Sequence, residues 1–593
     1  MSSSSSDAGT PPPGKHGHDG GSDDEHDIHK KGFIYTHFEE VLARINPFGP
    51  YQYFTCFCIL YASIEWAGNY SFMDALGVIE PDWLCLQADN TTSNITSPTN
   101  DAKCAYIKAN CTQLTPIKES AEFHSLVAAF QLICDDSDKP KLIQIIQVAG
   151  SLIGSIVGGH IGDYYGRKKG FFSGQFCIIL TSVMAISAKD WIAYSICQFL
   201  NGFLFGMIEV TSLTMMMEYT DNKYRLIPNA CFQWPIAYMV MALIAYLAKD
   251  WQYFFIFLNL ITAPITIGFM LFQESPRWLI TKGRLEQACE VLNDMGHQRW
   301  NHARVKFIPN DLKMIPREKR TKFYSFWHLF FTNSKLAKQS IMQIVSMFTF
   351  SLVSSTYLYT IGQFHGENTI MFTFLDGVFR LWVPVTVIFL DYRVPKFGRK
   401  PLYMLSLSIT ALCFAAIIVL VSLDYALDHI SIYVLTIIAT MINASAFWMS
   451  IVQITTQRYP TVIRCIAFGS LHSFRHIGVI VSLLFVDPLL KSWTVGAYIV
   501  PEVCVILTLV MGFFLQPESK GKPLMDRMKE VKYGRFENEI PKALMRIAAG
   551  HRYTDPQANG GDNAATFAKS IFEGAANRHR VSSHGGDSIS MHM

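Results

Sequence analysis

Long apolar runs alternate with short polar segments along most of the chain, from residue 51 to residue 515. A helix that crosses a bilayer needs about 20 apolar residues to span a hydrocarbon core of roughly 30 Å. About twelve runs approach this length, and the pattern therefore predicts an all-α membrane protein with twelve transmembrane helices. The runs cover residues 51–76, 141–162, 170–187, 190–217, 227–248, 251–272, 338–361, 368–390, 402–422, 430–453, 465–487 and 490–515.

Three short motifs occur twice, once in each part of the chain. The two copies lie about 240 residues apart, which indicates two similar six-helix repeats in tandem. Such a repeat in an apolar chain is typical of a transporter. The matched positions are Gly166 with Gly398, Arg225 with Arg464, and Glu274 with Glu518.

The repeat divides the chain into five segments. A polar tail at residues 1–45 is expected to be disordered and cytoplasmic, and the cytoplasmic tail at residues 517–593 is expected to be disordered after about residue 550. Between the tails, we expect a first six-helix half at residues 46–272, with an extracellular loop at about residues 77–139. Cytoplasmic linker helices at residues 273–337 then lead into a second six-helix half at residues 338–516.

Composition and charge favour a membrane protein. Of the 593 residues, 50% are hydrophobic and 16% are charged, which is too little charge to cover a soluble body of this size. The segment from 273 to 338 is rich in Lys and Arg, whereas the segment from 78 to 139 is net acidic. Because basic loops stay on the cytoplasmic side, we expect a multi-pass protein of the plasma membrane with both termini cytoplasmic. The polar start lacks the apolar core of a cleaved signal peptide, so the first span is expected to direct insertion.

The acidic loop carries modification sites and cysteines. Its N-glycosylation sequons, which fit an extracellular loop, lie at Asn90, Asn94 and Asn110. An even set of cysteines allows two disulfides in three possible pairings of Cys85, Cys104, Cys111 and Cys134. Chance sequons and free thiols are the alternative. No metal site is predicted, because the histidines of the N-terminal tail have no spacing that fixes a coordination shell.

A glycine-rich turn joins the second and third predicted spans. Gly159, Gly162 and Gly166 allow close approach of helices and a tight turn. Asp163 lies among them and is placed to pair with basic groups across the half. Arg167 follows the turn and would anchor it at the anionic inner leaflet. The alternative is that these residues only fix the topology.

This turn resembles the loop motif of the major facilitator superfamily. Tyr164 replaces the family's Arg, and Pro395 stands in the second copy where an acid is usual, which implies an inner gate held mainly by the first half. Further motifs make the chain similar to the organic cation, organic anion and carnitine transporter family over about residues 40 to 530. They are Phe48-Gly49-Pro50-Tyr51-Gln52, Leu132-Ile133-Cys134-Asp135, Asp250-Trp251, Glu274-Ser275-Pro276-Arg277-Trp278 and Tyr459-Pro460-Thr461-Val462-Ile463-Arg464.

The resemblance implies a set of gating residues near the two turns. Glu274 and Glu518 end the two halves at matching points, which suits charge locks with Arg167 and Arg399. The full set is Gly159, Asp163, Gly166, Arg167, Glu274, Arg277, Gly398, Arg399, Arg464 and Glu518. Several charges usual in the family are missing, so either the gating network differs or the chain has drifted from fast transport. The uncharged residues at these positions are Gln198, Gln252 and Gln457.

The linker has a helical pattern of its own. Ser275 is placed to cap a short helix that begins at Pro276. A second helix is predicted from Arg284, on an apolar stripe formed by Leu285, Ala288, Cys289 and Leu292. The resemblance implies a cytoplasmic helix bundle that ties the two halves together, and a solvated linker is the alternative.

Ionisable residues inside the predicted spans are candidate substrate contacts, because each costs about 2.5 to 3.5 kcal/mol to insert. Asp376 and Arg380 share one helical face and are able to neutralise each other, so structural pairing and substrate contact are equal alternatives. Arg475 bears on specificity, because the resemblance associates a base here with anion and carnitine carriers. A buried cation attracts carboxylates and repels ammonium groups. The candidate contacts are Glu209, Gln233, Tyr357, Asp376, Arg380, Trp448, Gln453 and Arg475.

Together these features predict a polyspecific organic-ion transporter that works by alternating access and favours organic anions or carnitine-like zwitterions. An organic cation carrier is one alternative, since Glu65 and Glu209 are available to hold a cation. A non-transporting membrane receptor or scaffold on the same fold is another. The sequence has no nucleophile–base pair, metal cluster or nucleotide-binding loop, so an enzyme is not predicted. The expected partners are a small organic ion and the lipid bilayer, without a cofactor or nucleic acid; the coupling ion and the oligomeric state stay open.

Overall fold

The structure is a computed structural model. It describes residues 35–528, apart from residues 90, 97–100, 118–119, 298–299, 302–304, 316, 318–322, 365–367, 424, 426–428 and 523. The side chains of residues 357–364, 487 and 491 are also outside the description. Most of the two predicted tails, the sequon at Asn90 and the side chain of Tyr357 therefore lie outside the described residues.

The described chain is mostly helical, as the apolar runs predict. Its helices are α1 (Phe38–Ile45), α2 (Pro50–Tyr70), α3 (Phe72–Ala75), α4 (Asp101–Asn110), α5 (Leu126–Phe130), α6 (Lys139–Tyr164), α7 (Arg167–Ile186), α8 (Trp191–Tyr219), α9 (Leu226–Cys231), α10 (Pro235–Ala248), α11 (Trp251–Thr262), α12 (Ile265–Met270), α13 (Pro276–Thr281), α14 (Leu285–Gly296), α15 (His328–Phe331), α16 (Ser334–Phe364), α17 (Thr369–Arg393), α18 (Arg399–Ser422), α19 (Ile430–Met441), α20 (Trp448–Arg458), α21 (Arg464–Ser492) and α22 (Thr494–Leu515).

Eleven helical stretches among the described residues are long and apolar enough to cross a membrane, and they comprise α6 to α12 and α16 to α22. Helix α2 is a further long helix of 21 residues. It packs against α10 and α11 in the same bundle. It buries the polar residues Gln52, Glu65 and Asn69. The predicted first span at 51–76 is divided, because the helix ends at Tyr70 and α3 follows.

Later predicted spans are interrupted as well: the span at 227–248 breaks between α9 and α10, and two others break in different ways. Helix α11 gives way to α12 at Pro264, which has no backbone N–H to continue the hydrogen-bond ladder. Helices α19 and α20 are joined by a π-helical turn at Ile442–Phe447. In this turn the Asn443 side-chain amide donates to the carbonyl oxygen of Phe350 at 3.0 Å. These interruptions are local, so each pair still spans the bundle as one stretch.

The two halves of the bundle meet along two seams. Helix α6 of the first half packs along α21 of the second, and α10 packs along α17. The turns before α7 and α18, at Gly166 and Gly398, lie at one end of the bundle, which we call the turn end. The loop between α3 and α6 lies at the opposite end, which we call the disulfide end.

The loop at the disulfide end contains a small antiparallel sheet that the apolar pattern does not predict. Its strands β1 (Trp83–Gln87), β2 (Thr92–Ile95) and β3 (Cys111–Pro116) lie in the order β2-β1-β3. One disulfide joins Cys85 on β1 to Cys111 on β3, and the second joins Cys104 on α4 to Cys134 before α6. Asn94 and Asn110 are exposed on this loop.

The linker after α12 forms the two helices that the sequence predicts. The Ser275 hydroxyl accepts a hydrogen bond from the Trp278 backbone N–H at 3.2 Å, with Pro276 as the first helical residue. Helix α14 buries the stripe of Leu285, Ala288, Cys289 and Leu292. The solvated-linker alternative is therefore wrong for residues 276–296.

Candidate functional site

The turn of the first half is closed by a carboxylate from the end of that half. Gly166 has φ +114°, a conformation that residues with a side chain rarely adopt. Glu274 Oε1 accepts hydrogen bonds from the backbone N–H groups of Arg167 at 2.9 Å and Lys168 at 3.2 Å. These are the first N–H groups of α7, a natural position for an anion. Burial raises the pKa of the Glu274 carboxyl, although its backbone hydrogen bonds oppose this shift.

The guanidinium of Arg167 has different partners from those predicted. It lies 3.1 Å from Asp163 Oδ1 and 3.2 Å from Glu218 Oε1, while Glu274 contacts the backbone of α7. The sequence analysis missed Glu218, the last acid of α8. An ionisable residue at the end of an apolar run is the signal that would have found it.

Residues of the second half complete this cluster. Arg464 Nη1 donates to Glu218 Oε1 at 2.7 Å, and Arg167 Nη2 donates to the carbonyl oxygen of Thr461 at 2.9 Å. The Ile466 backbone N–H, in the first turn of α21, donates to Asp163 Oδ2 at 2.9 Å. The side chains of Arg167, Glu218 and Arg464 are fully buried. We call Asp163, Arg167, Glu218 and Arg464 the seam cluster, because it joins the two halves at the turn end.

Close helix packing surrounds the seam cluster. A Cβ on Gly159 would lie 2.8 Å from the carbonyl oxygen of Cys465, and one on Gly162 would lie 2.7 Å from the Cys465 sulfur. Real Cβ atoms do not approach other heavy atoms so closely. The two glycines therefore allow α6 to contact α21 where the seam cluster forms.

Arg277 forms a second ionic group beside the seam cluster. Its guanidinium lies 2.9 Å from Asp526 and 2.9 Å from Glu39, and Arg225 approaches Glu39 at 3.6 Å. Burial acts to lower the pKa of Arg277, but the carboxylates of Asp526 and Glu39 outweigh it and raise the pKa. This group ties the linker helix α13 to α1 and to the segment after α22.

The turn of the second half repeats only part of this arrangement. Glu518 accepts from the backbone N–H groups of Arg399 at 2.9 Å and Lys400 at 3.1 Å. The guanidinium of Arg399 lies 2.7 Å from Asp391, which also contacts Lys520 at 3.2 Å. Burial acts to raise the pKa of Glu518, but its backbone hydrogen bonds lower it below the ordinary value. As in the first half, the carboxylate contacts main chain and not the predicted guanidinium.

Three of the predicted substrate contacts meet across the two halves. Arg475 Nη2 on α21 donates to Glu209 Oε2 on α8 at 2.6 Å. The Arg475 guanidinium lies 5.5 Å from the ring centre of Trp448 on α20. A further residue, His472, places Nδ1 3.1 Å from Glu209 Oε2 and was not predicted. We call Glu209, Trp448, His472 and Arg475 the midplane cluster.

The remaining predicted contacts lie elsewhere in the bundle. Asp376 and Arg380 form an ion pair at 3.0 Å on α17, and the Arg380 guanidinium lies 5.3 Å from the ring centre of Tyr238 on α10. Gln233 and Gln453 are buried. The side-chain amide of Gln453 has no hydrogen-bond partner among the described residues. Such a buried amide is a suitable contact for a bound solute.

Residues 106–530 match the protein-family model described as Sugar (and other) transporter. The chain belongs to this family. It is 24% identical over 434 residues to Solute carrier family 22 member 16 of Homo sapiens, over 72% of this chain and 73% of the relative. It is 24% identical over 509 residues to Organic cation/carnitine transporter 4 of Arabidopsis thaliana, over 83% of this chain and 90% of the relative.

The fold agrees with a solved structure of the major facilitator superfamily. The proton:xylose symporter XylE bound to 6-bromo-6-deoxy-D-glucose matches with a TM-score of 0.58 and 15% identity, over 80% of this chain and 98% of XylE. This family member is therefore a multi-pass membrane transporter with the major facilitator fold, and not an enzyme. The predicted family resemblance and fold class are confirmed.

Proposed function

We propose that this transporter is a polyspecific carrier of organic ions that works by alternating access and favours organic anions and zwitterions. The observation that carries the proposal is a buried guanidinium, that of Arg475, at the contact between the two halves. It is placed to bind an oxyanion in a low-dielectric site, where the interaction is strong and selective against ammonium groups. The ring of Trp448 beside it offers a face for a flat or quaternary group.

Orientation and location belong to the same proposal. The basic linker at residues 273–337 favours a cytoplasmic turn end, and the exposed sequons at Asn94 and Asn110 favour an extracellular disulfide end in the plasma membrane. In alternating access the midplane cluster would open to one side at a time. The seam cluster and the Arg277 group would close the cytoplasmic side.

Uptake into proteoliposomes tests the proposal. Three tracers of different charge are compared: tetraethylammonium, benzenesulfonate and the zwitterion betaine. We expect the parent to take up benzenesulfonate and betaine faster than tetraethylammonium, and Arg475→Asp to reverse that order. Arg475→Lys, which keeps a positive charge at the same position, serves as the matched control and should keep the parent order. An order of preference that Arg475→Asp leaves unchanged contradicts the proposed selectivity, and binding of tracer without movement supports a receptor or scaffold.

An organic cation carrier is the second candidate, because of Glu65. This carboxylate is fully buried on α2, where Oε2 accepts a hydrogen bond from the Gln175 amide at 2.7 Å. Its Oε1 has no hydrogen-bond partner among the described residues. Faster uptake of tetraethylammonium by the parent, abolished in Glu65→Gln, would favour this candidate.

A further inference from the structure

The midplane cluster contains a second basic residue, His472, in addition to the arginine that would bind an anion. Among the described residues, the carboxylate of Glu209 contacts two side chains, the guanidinium of Arg475 and the imidazole of His472. His472 is fully buried, with the rings of Trp448 at 5.4 Å and Phe468 at 5.9 Å between centroids. Glu209 belongs to the first half and both basic groups belong to the second, so the contact crosses between the halves.

Other titratable groups lie around this contact. On α21, His476 approaches the Arg475 guanidinium with Nε2 at 3.3 Å. On α2, the Tyr70 hydroxyl lies 3.4 Å from His476 Nδ1. Beyond it on α3, Asp74 accepts a hydrogen bond from the Gln144 amide of α6. Of these groups, His472 is the one in contact with Glu209, so it is the basic group able to take over that carboxylate when Arg475 is engaged.

The charge balance of the cluster changes when an anion binds. Without solute, Arg475 and Glu209 neutralise each other. An oxyanion that binds Arg475 competes with Glu209 for the one guanidinium, and a buried carboxylate that loses its counter-charge is strongly destabilised. The neighbouring imidazole removes this cost if it takes a proton from the open side, because the imidazolium then pairs with Glu209. When the solute leaves, Glu209 returns to Arg475 and the proton dissociates to the new open side.

We propose that His472 couples the transport of organic anions to protons, with one proton moving alongside each monovalent anion. The inference rests on the proposed function and names its coupling ion. A zwitterion carries its own cation for Glu209, so its transport needs no proton. The same site thus distinguishes two substrate classes by their dependence on pH.

The test uses purified full-length protein in proteoliposomes, with the membrane potential clamped and the outside more acidic than the lumen. Benzenesulfonate is the probe, because it stays charged at every pH used and does not cross lipid as a neutral acid. One pH unit corresponds to about 1.36 kcal/mol, so we expect accumulation of up to about tenfold per unit in the parent. A lumenal pH dye should report one proton per anion, and betaine should equilibrate without proton flux.

His472→Gln is expected to equilibrate benzenesulfonate without accumulation or proton flux. His160→Gln is the matched control, since this imidazole bonds the Ile156 carbonyl of its own helix, and it should behave as the parent. Equilibration of benzenesulfonate by the parent without proton flux overturns the inference, even if His472→Gln fails to fold. Proton-driven accumulation that survives in His472→Gln also overturns it. Absence of movement of all three tracers rejects the proposed function itself, and the inference with it.

Discussion

The two turns of the bundle share a backbone arrangement but differ in what their arginines hold. In each, a glutamate from the end of the half accepts the first backbone N–H groups of the following helix. Arg167 then reaches across to the second half, whereas Arg399 pairs with Asp391 of its own half. The shared backbone hydrogen bonds therefore shape each turn, and the contacts of the guanidinium decide whether the turn also joins the two halves.

The position of one acid explains the difference. Asp163, in the last turn of α6, lies four residues before Arg167, the first residue of α7, and the turn between them brings the two side chains to 3.1 Å. The matching position before Arg399 is Pro395, which has no charge. Asp391, eight residues before Arg399, supplies the carboxylate and shares it with Lys520. The charge of Arg399 is therefore neutralised within the second half. Contacts between the halves come from Arg167 of the first turn.

The largest expected effect comes from removing the central acid of the seam cluster. Glu218→Gln leaves Arg167 and Arg464 buried without their shared carboxylate, which should cost about 3 to 5 kcal/mol. Asp391→Asn should cost less, about 1 to 3 kcal/mol, because the Asp391 and Lys520 side chains are partly exposed to solvent. Thermal unfolding of the two purified variants in one detergent ranks them. Equal losses in melting temperature would contradict the distinction between the two turns.

Alanine at the two turn glycines should give the next largest difference. Gly166→Ala forces a side chain onto a positive φ, at a cost of about 1 to 3 kcal/mol, and it crowds Glu274 as well. Gly398 has an extended backbone, so Gly398→Ala adds no backbone strain, although its Cβ would crowd the carboxylate of Glu518. We expect a smaller drop in melting temperature for Gly398→Ala. The reverse order would show that crowding of the neighbouring glutamate, and not the backbone conformation of the glycine, sets the loss of stability at both positions.

The two glutamates at the turns should respond to pH with opposite sign. The folded-state pKa of Glu274 is raised, so its contribution to stability falls as pH rises above about 4.5 through the folded pKa. The folded-state pKa of Glu518 is lowered, so its contribution is present above about pH 4.5 and is lost as pH falls through the folded pKa. The measurement is the melting temperature of the parent minus that of each variant, Glu274→Gln or Glu518→Gln, across pH. This difference should fall with rising pH for Glu274 and rise with pH for Glu518. Slopes of the same sign would be inconsistent with these environments.

The smallest effect is expected from giving the second turn the acid that it lacks. Pro395→Asp places a carboxylate four residues before Arg399, but Asp391 already occupies that guanidinium. Because residue 395 is exposed, the gain in stability should stay below about 1 kcal/mol. A larger rise in melting temperature, or slower transport than in Pro395→Ala, would mean that the second turn is able to build a lock of its own.

The sequence predicted most of the bundle because apolar runs of membrane length leave few alternatives. The Ser275 cap and the stripe of α14 followed from local pattern. Glu209, Trp448 and Arg475 were each predicted as substrate contacts, but the ion pair between Glu209 and Arg475 was not predicted. The sheet of the disulfide-end loop was not predicted either, because strands of four to six residues carry little periodicity, and a disulfide whose pairing the sequence left open joins two of them.

The sequence did not predict several partners of the charged groups. The predicted charge lock pairs the Glu274 carboxylate with the Arg167 guanidinium. In the structure this carboxylate accepts the backbone N–H of Arg167, and Glu218 contacts the guanidinium. His472 was missed because a histidine in an apolar run is more often a packed core residue. Which groups face each other across two halves depends on helix rotation, and one helix's sequence does not specify its rotation against another.

The central claim is that the seam cluster closes the turn end and must part for the solute to pass. Cys465 tests it directly, because its native thiol, in the first turn of α21, is fully buried against Gly162 of α6. A water-soluble maleimide is applied to the turn end during transport, and labelled peptides are measured by mass spectrometry, with buried Cys289 of α14 as the control. We predict labelling of Cys465 that rises with turnover and rises further in Glu218→Gln, while Cys289 labelling stays constant. Transport that proceeds with Cys465 unlabelled would contradict the account.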